Sequence, residues 1–270
     1  MNPSSAIIFL GTSDFAVPSL QRLVADGLPV SLVITRPDRP ARRGQRLSGS
    51  PILCCAESLG LPVWQPENLQ DAESVHRIQE MKPSLLVLVA YGMRVPGDVL
   101  QAGALGALNL HPSLLPKYRG AAPMQWALIH AEKMTGVTTM YMDEGLDTGD
   151  IVYQENAALV PGETYGEVSS RLSVQGAALL SRTVQDVLNG TAPRKVQDNA
   201  LATKAPLLKP EQERLRWDQE ATRVAGWICG LSPRPGAYTL DRERRLKLLR
   251  ARPLEDVPEL VSVALPEQFV

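Results

Sequence analysis

The sequence predicts an α/β fold: a mostly parallel sheet with helices on both faces, followed by a smaller C-terminal unit. Three observations carry this. Short apolar runs alternate with amphipathic stretches through the first two thirds of the 270 residues, the pattern of β-α units feeding one sheet. Leu85–Ala90 (LLVLVA) is wholly apolar, as a central strand covered on both faces requires. The periodicity then lapses over Thr191–Pro210, a mixed polar segment with three prolines, and resumes near Glu211.

Taken in order, Ala6–Leu10 (AIIFL) reads as a buried strand closed by Gly11, and Asp14 can cap a helix that carries Phe15, Leu20, Leu23 and Val24 and stops at Gly27. Val30–Thr35 returns as a strand, and Leu85–Ala90 and Ala107–Leu110 supply two more. Val137–Met142 and Ile151–Gln154 read as a hairpin around the turn Gly145–Asp150. From Glu167 to Leu188 the apolar residues keep helical spacing, and Asn189-Gly190 supplies the stop. The expected organisation is a catalytic domain over 1–190, an extended surface linker over 191–210 and a small unit over 211–270. That unit holds a helix around Thr222–Cys229, the turn Ser232–Gly236 and a short basic strand at Leu246 and Leu248.

Composition narrows the chemistry. Lys+Arg 28 against Asp+Glu 29 gives a net charge of -1, so contact with nucleic acid must come from a local basic patch. No stretch approaches the roughly 18 apolar residues of a spanning helix, and a soluble, cytoplasmic monomer is expected. Cys54, Cys55 and Cys229 offer neither a C-x-x-C spacing nor an even count, so no disulfide framework or metal site is expected. Gly11-Thr12-Ser13 has one glycine where a dinucleotide fingerprint needs three, and no acidic residue ends the second strand. His76 and His130 fall in helical stretches and receive no role, while Trp64, Trp126, Trp217 and Trp227 read as core or interface anchors.

Three runs can carry chemistry. In Leu108–Ala122, Asn109 and His111 stand two apart on a strand, so an amide and an imidazole leave the same face; Pro112 and Pro116 then force the strand to end. Polar side chains at the carboxyl edge of such a sheet are where ligands bind, although the same pair also suits the satisfying of backbone groups at a strand end. Met142–Ile151 (MDEGLDTGDI) carries Asp143, Glu144, Asp147 and Asp150 between glycines; a solvated hairpin tip explains these equally well, and the calcium-loop pattern is absent. Arg36–Arg46 (RPDRPARRGQR) places five arginines against one aspartate, a dense cation suited to phosphate oxygens or to solubility.

With these runs in view, the sequence resembles the methionyl-tRNA formyltransferases, a branch of the 10-formyltetrahydrofolate-dependent formyltransferase family. The resemblance rests on GTSDFA at 11–16, RPDRPARRGQRL at 36–47, VAYGM at 89–93, NLHPSLLPKYRGAAP at 109–123, TGVTTMYMDEGLDTGDI at 135–151 and LSPRPGAYT at 231–239, and it spans residue 6 to about 254. It implies a Rossmann-like catalytic domain and a C-terminal domain resembling an OB-type barrel, incomplete here because so few residues follow Glu211. It implies transfer of a formyl group to the α-amine of methionyl initiator tRNA with 10-formyltetrahydrofolate as co-substrate and no metal. By resemblance Asn109 stabilises the oxyanion, His111 is the acid–base residue, and Asp147 lies beside it and favours its charged form. Ser113, Leu114, Leu115 and Pro116 form the folate-contacting loop, with the neighbourhoods of Tyr91 and Asp143 enclosing the pterin, and Arg42 and Arg43 meet the tRNA. The alternatives are the same chemistry on a nucleotide-linked amino sugar, for which five arginines on one loop have little use, and a non-catalytic tRNA- or folate-binding remnant.

Overall fold

A computed structural model describes residues 6–38 and 49–254 of the chain. Seven strands form one sheet in the order β3-β2-β1-β4-β5-β6-β7. The first five, β1 (Ile7–Gly11), β2 (Val30–Ile34), β3 (Val63–Trp64), β4 (Leu85–Val89) and β5 (Ala107–His111), run parallel. The last two, β6 (Met134–Tyr141) and β7 (Ile151–Ala158), close the sheet antiparallel, as the hairpin pattern led us to expect. All five residues of β1 and of β4 are buried, which is why those runs contain no polar side chain.

The two faces of the sheet have separate cores. Ile7, Phe9, Leu85, Val87, Leu108 and Leu110 pack with α1 (Val17–Ala25), α2 (Pro51–Ser58) and α6 (Tyr165–Leu188). Ile8, Leu10, Leu86, Leu88 and Ala107 pack on the other side with Ile78 of α3 (Ala72–Glu80) and Val99 and Leu100 of α4 (Gly97–Leu100). The alternation of strand side chains makes both faces apolar at once, so the sheet is covered twice. Because β2 and β3 lie to one side of β1 while β4 and β5 lie to the other, the strand order reverses between β1 and β4. Their carboxyl ends are stitched by the Thr12 hydroxyl, which donates to the carbonyl of Tyr91 at 2.8 Å.

α6 begins two residues before the apolar period shows it, because Thr164 and Glu167 form a capping box: the Thr164 hydroxyl accepts from the Glu167 amide, and the Glu167 carboxylate accepts from the Thr164 amide. Those bonds, with Arg250 from the far end of the chain, hold the Glu167 carboxyl at about 2, below its ordinary 4.5. A carboxylate with a lowered folded-state pKa stabilises the fold above its unfolded value and ceases to as pH falls through the folded one. Stability should therefore drop between about pH 4.5 and 2, and Glu167→Gln should flatten that part of the profile in urea unfolding. Identical profiles would show that the carboxylate contributes nothing there.

Residues 191–210 run mostly exposed over the protein and are docked to it at intervals. Lys195 exchanges both backbone hydrogen bonds with Ile151, residues 203–205 run along the loop that follows β5, and Gln197 and Ala205 are buried. Backbone groups against the protein need partners, and that loop supplies them. Beyond this strap lie α7 (Ala221–Gly230) and an antiparallel hairpin of β8 (Ala237–Asp241) and β9 (Arg244–Leu248) around a core of Leu215, Val224, Ile228, Leu231 and Leu248. α7 crosses α5 (Pro123–Ile129) so closely that a Cβ on Gly226 would lie 2.4 Å from the Leu128 carbonyl. Trp126 and Trp227 meet edge to face at the same crossing, as interface anchors, while Trp217 is 46% exposed and donates from its indole to the Thr239 hydroxyl. Among the described residues no helix is long and apolar enough to cross a membrane.

Candidate active site

β5 ends at the carboxyl edge of the sheet and delivers two polar side chains there. Asn109 is half-buried between Leu88 of β4 and Met140 of β6, and its carboxamide makes no hydrogen bond to any described residue. His111, on the same face of the strand, is 4% exposed. Its Nε2 lies 3.0 Å from the Tyr118 carbonyl. A carbonyl only accepts, so Nε2 carries the proton and Nδ1 is the ring position that can gain or lose one. Nδ1 lies 3.7 Å from Oδ2 of Asp147. That separation suits an ion pair and is too long for a hydrogen bond, so a third atom can exchange a proton with this edge of the ring.

Asp147 comes from the turn between β6 and β7, where its backbone has φ +54°. Its Oδ2 accepts the Gly120 amide at 2.8 Å. Gly120 itself is at φ +127°, and a Cβ there would sit 2.6 Å from the Ala205 carbonyl, so this donor can be presented only by glycine. The strand with its Asn and His and the acidic turn are thus brought together by the amide of Gly120, which lies nine residues beyond His111 in the same run.

The Ser113–Pro116 loop is shaped from within. The Ser113 hydroxyl donates to the Lys117 carbonyl, the Thr138 hydroxyl donates to the Ser113 carbonyl and accepts from the Leu115 amide, and the Gln154 amide donates to the Leu115 carbonyl. Ser113 and Leu115 are buried, which leaves the half-buried side chains of Leu114 and Pro116 as the accessible apolar surface. Much of the polar backbone expected to serve a ligand is thereby spent on holding the turn. The Tyr91 hydroxyl, just beyond β4, is buried with no partner among the described residues, and burial pushes the phenol up to about 12. An uncommitted amide beside a partly accessible apolar loop suits a ligand with a polar rim and an apolar face.

Arg42 and Arg43 lie outside the described residues. Asp143 is exposed and closes its own turn by accepting from the Gly145 amide and the Thr148 hydroxyl. His76 pairs on the surface with Glu80, and His130 caps α5 beside Trp126 and Tyr118, so neither histidine joins the site. Gln154, Tyr118, Gly120 and Gln197 shape the site without having been singled out in the sequence. A cleft of about 480 Å³ between Gly106, Tyr141, Val187 and Arg194 opens at the amino end of β5, opposite to the end where ligands of such sheets bind.

Family models match both parts of the chain. The formyl transferase family model matches residues 5–184 and its C-terminal domain model matches residues 207–262. The methionyl-tRNA formyltransferase of Syntrophus aciditrophicus (strain SB) is 46% identical over 93% of this chain and 80% of its own length. That of Moorella thermoacetica is 48% identical over 91% of this chain and 79% of its own. Among solved structures, the N-formyltransferase from Helicobacter canadensis, in complex with folinic acid and dTDP-3-aminofucose, superposes with a TM-score of 0.73 at 17% identity, covering 98% of this chain and 93% of that one. A sugar N-formyltransferase from Shewanella gives 0.70 at 18% identity, covering 93% and 99% respectively; at such identities the likeness concerns the fold alone. The matched models and the extent of identity together place the chain in the formyltransferase family, among the methionyl-tRNA formyltransferases.

Proposed function

We propose that the chain transfers the formyl group of 10-formyltetrahydrofolate to the α-amino group of methionine esterified to initiator tRNA, as a cytoplasmic monomer whose catalytic domain spans 1–190 and whose smaller unit over 211–270 is joined to it by 191–210. The observation that carries this reading is the placing of an uncommitted carboxamide, Asn109, on the same strand face as a histidine backed by a carboxylate. Attack of a neutral amine on a formyl carbon builds negative charge on the formyl oxygen and leaves a surplus proton on the amine. The Asn109 N–H donors answer the first need. Nδ1 of His111 answers the second: it takes a proton from the attacking nitrogen and can return one to the departing nitrogen, while Asp147 stabilises the imidazolium between the two steps. Nε2, tied to Tyr118, fixes the ring plane throughout.

The half-buried Leu114 and Pro116, with the neighbourhood of Tyr91, would hold the folate, whose bound form supplies the activated formyl group. Arg42 and Arg43 would meet phosphates of the tRNA.

The solved neighbours raise a second reading, the same chemistry on a nucleotide-linked amino sugar. Formyl transfer from 10-formyltetrahydrofolate, offered methionyl initiator tRNA and a dTDP-linked amino sugar in parallel, separates the two. Product on the tRNA alone is expected; product on the sugar alone would transfer the reading to that acceptor, and none on either would leave a binding protein.

A further inference from the structure

Gln197 lies in the strap between the two units, 6% exposed, and its carboxamide is fully engaged. Nε2 donates to the carbonyls of Asp147 at 2.9 Å and Gly149 at 2.7 Å. Oε1 accepts from Arg119 through Nε at 3.1 Å and Nη2 at 2.7 Å. Asp147 occupies a left-handed conformation that a non-glycine residue keeps only when its surroundings impose it. Gln197 grips the carbonyl of that very residue, and through Arg119 it ties the acidic turn to the residue preceding Gly120, whose amide the Asp147 carboxylate accepts.

The same strap holds the opposite half of the site. Thr203 accepts the Arg119 amide at 2.8 Å through its carbonyl and the Tyr118 amide at 2.8 Å through its hydroxyl, and the Ala205 amide donates to the Arg119 carbonyl at 2.7 Å. Tyr118 in turn supplies the carbonyl that orients His111. One extended segment therefore contacts both the turn that bears Asp147 and the loop that steadies His111.

We propose that this strap sets the register between the two halves of the catalytic pair, and that Gln197 is a positioning residue for formyl transfer, acting through Asp147. The proposal rests on the reading of Asp147 as the partner of His111. Residues of this kind touch no substrate, so their loss should reduce turnover and leave substrate binding in place.

Gln197→Glu tests this with almost no change of volume. The ionised side chain still pairs with Arg119 but has no N–H for the two carbonyls. Gln197→Met, similar in length and uncharged, removes donor and acceptor alike and guards against effects of a buried charge. In both variants kcat should fall about 10- to 100-fold, with KM for folate and tRNA within about twofold. The independent readout is amide hydrogen exchange in the full chain. The Gly120 amide, held by Asp147, should exchange at least about tenfold faster, while the Lys195 amide, held by the Ile151 carbonyl, keeps its wild-type protection.

Unchanged Gly120 exchange in either variant would overturn the proposal, as would loss of Lys195 protection in both, which would make Gln197 a fastener of the strap alone. A wild-type chain without formyl transfer would refute the functional reading, and the exchange result would still decide whether Gln197 seats the acidic turn.

Discussion

Replacing His111 by Gln should lower kcat for formyl transfer by about 10²- to 10⁴-fold, the range that a positioned acid–base group supplies. Gln is the informative choice because its amide nitrogen falls near the position of Nε2 and can still donate to the Tyr118 carbonyl. The buried site therefore keeps its hydrogen bond and most of its packing, and what disappears is Nδ1, the ring position that faces Asp147. Folate and tRNA should bind as before, since His111 is nearly inaccessible and offers little surface to either. Steady-state kinetics with methionyl-tRNA check this. A decrease below about threefold would mean that the proton moves through solvent or another residue.

Asn109→Ala should cost about 10²- to 10³-fold in kcat, the effect of removing a donor aimed at a developing oxyanion. Here the structure makes an unusually clean experiment possible. Truncating a buried polar residue commonly strands its partner and destabilises the fold, but the Asn109 carboxamide has no partner among the described residues to strand. Thermal stability should hardly move while turnover collapses. Asn109→Asp, equal in size but acceptor-only and negative when ionised, should be at least as damaging. If Ala costs less than threefold, or if its loss of activity merely tracks a loss of stability, the carboxamide does not face the reacting oxygen.

Much of this site could be seen in the sequence because its first half is local. Asn109 and His111 lie two residues apart on a strand, and the pleat alone puts them on one face. Pro112 and Pro116 announce the loop beyond. The same holds for the fold: β1 and β4 are continuous apolar runs, and the stop of α6 at Asn189 is written in the sequence, while its start at Thr164 depends on a capping box that the apolar period does not register.

The second half is non-local. Locally, the run from Asp143 to Asp150 is a turn like any other, and Asp143 and Leu146 are indeed exposed. Asp147 differs from them because the Gly120 amide, 27 residues away, and Gln197, 50 residues away, close over it. Gln197 sits in a proline-bearing stretch without hydrophobic period, where nothing distinguishes a docked strap from a loose linker. The resemblance places Asp147 in a motif, and the structure shows the bonds that seat it.

The central claim is that His111 and Asp147 work as one unit on the proton released at the attacking amine. A double-mutant cycle in single-turnover formyl transfer, comparing wild type, His111→Gln, Asp147→Asn and the double variant, measures that coupling directly. Residues that act together are grossly non-additive. Asp147→Asn should therefore cost about 10- to 100-fold in the wild-type background and under about threefold once His111 is Gln. Losses that multiply across the cycle would show two independent residues, and the account of the pair would be contradicted.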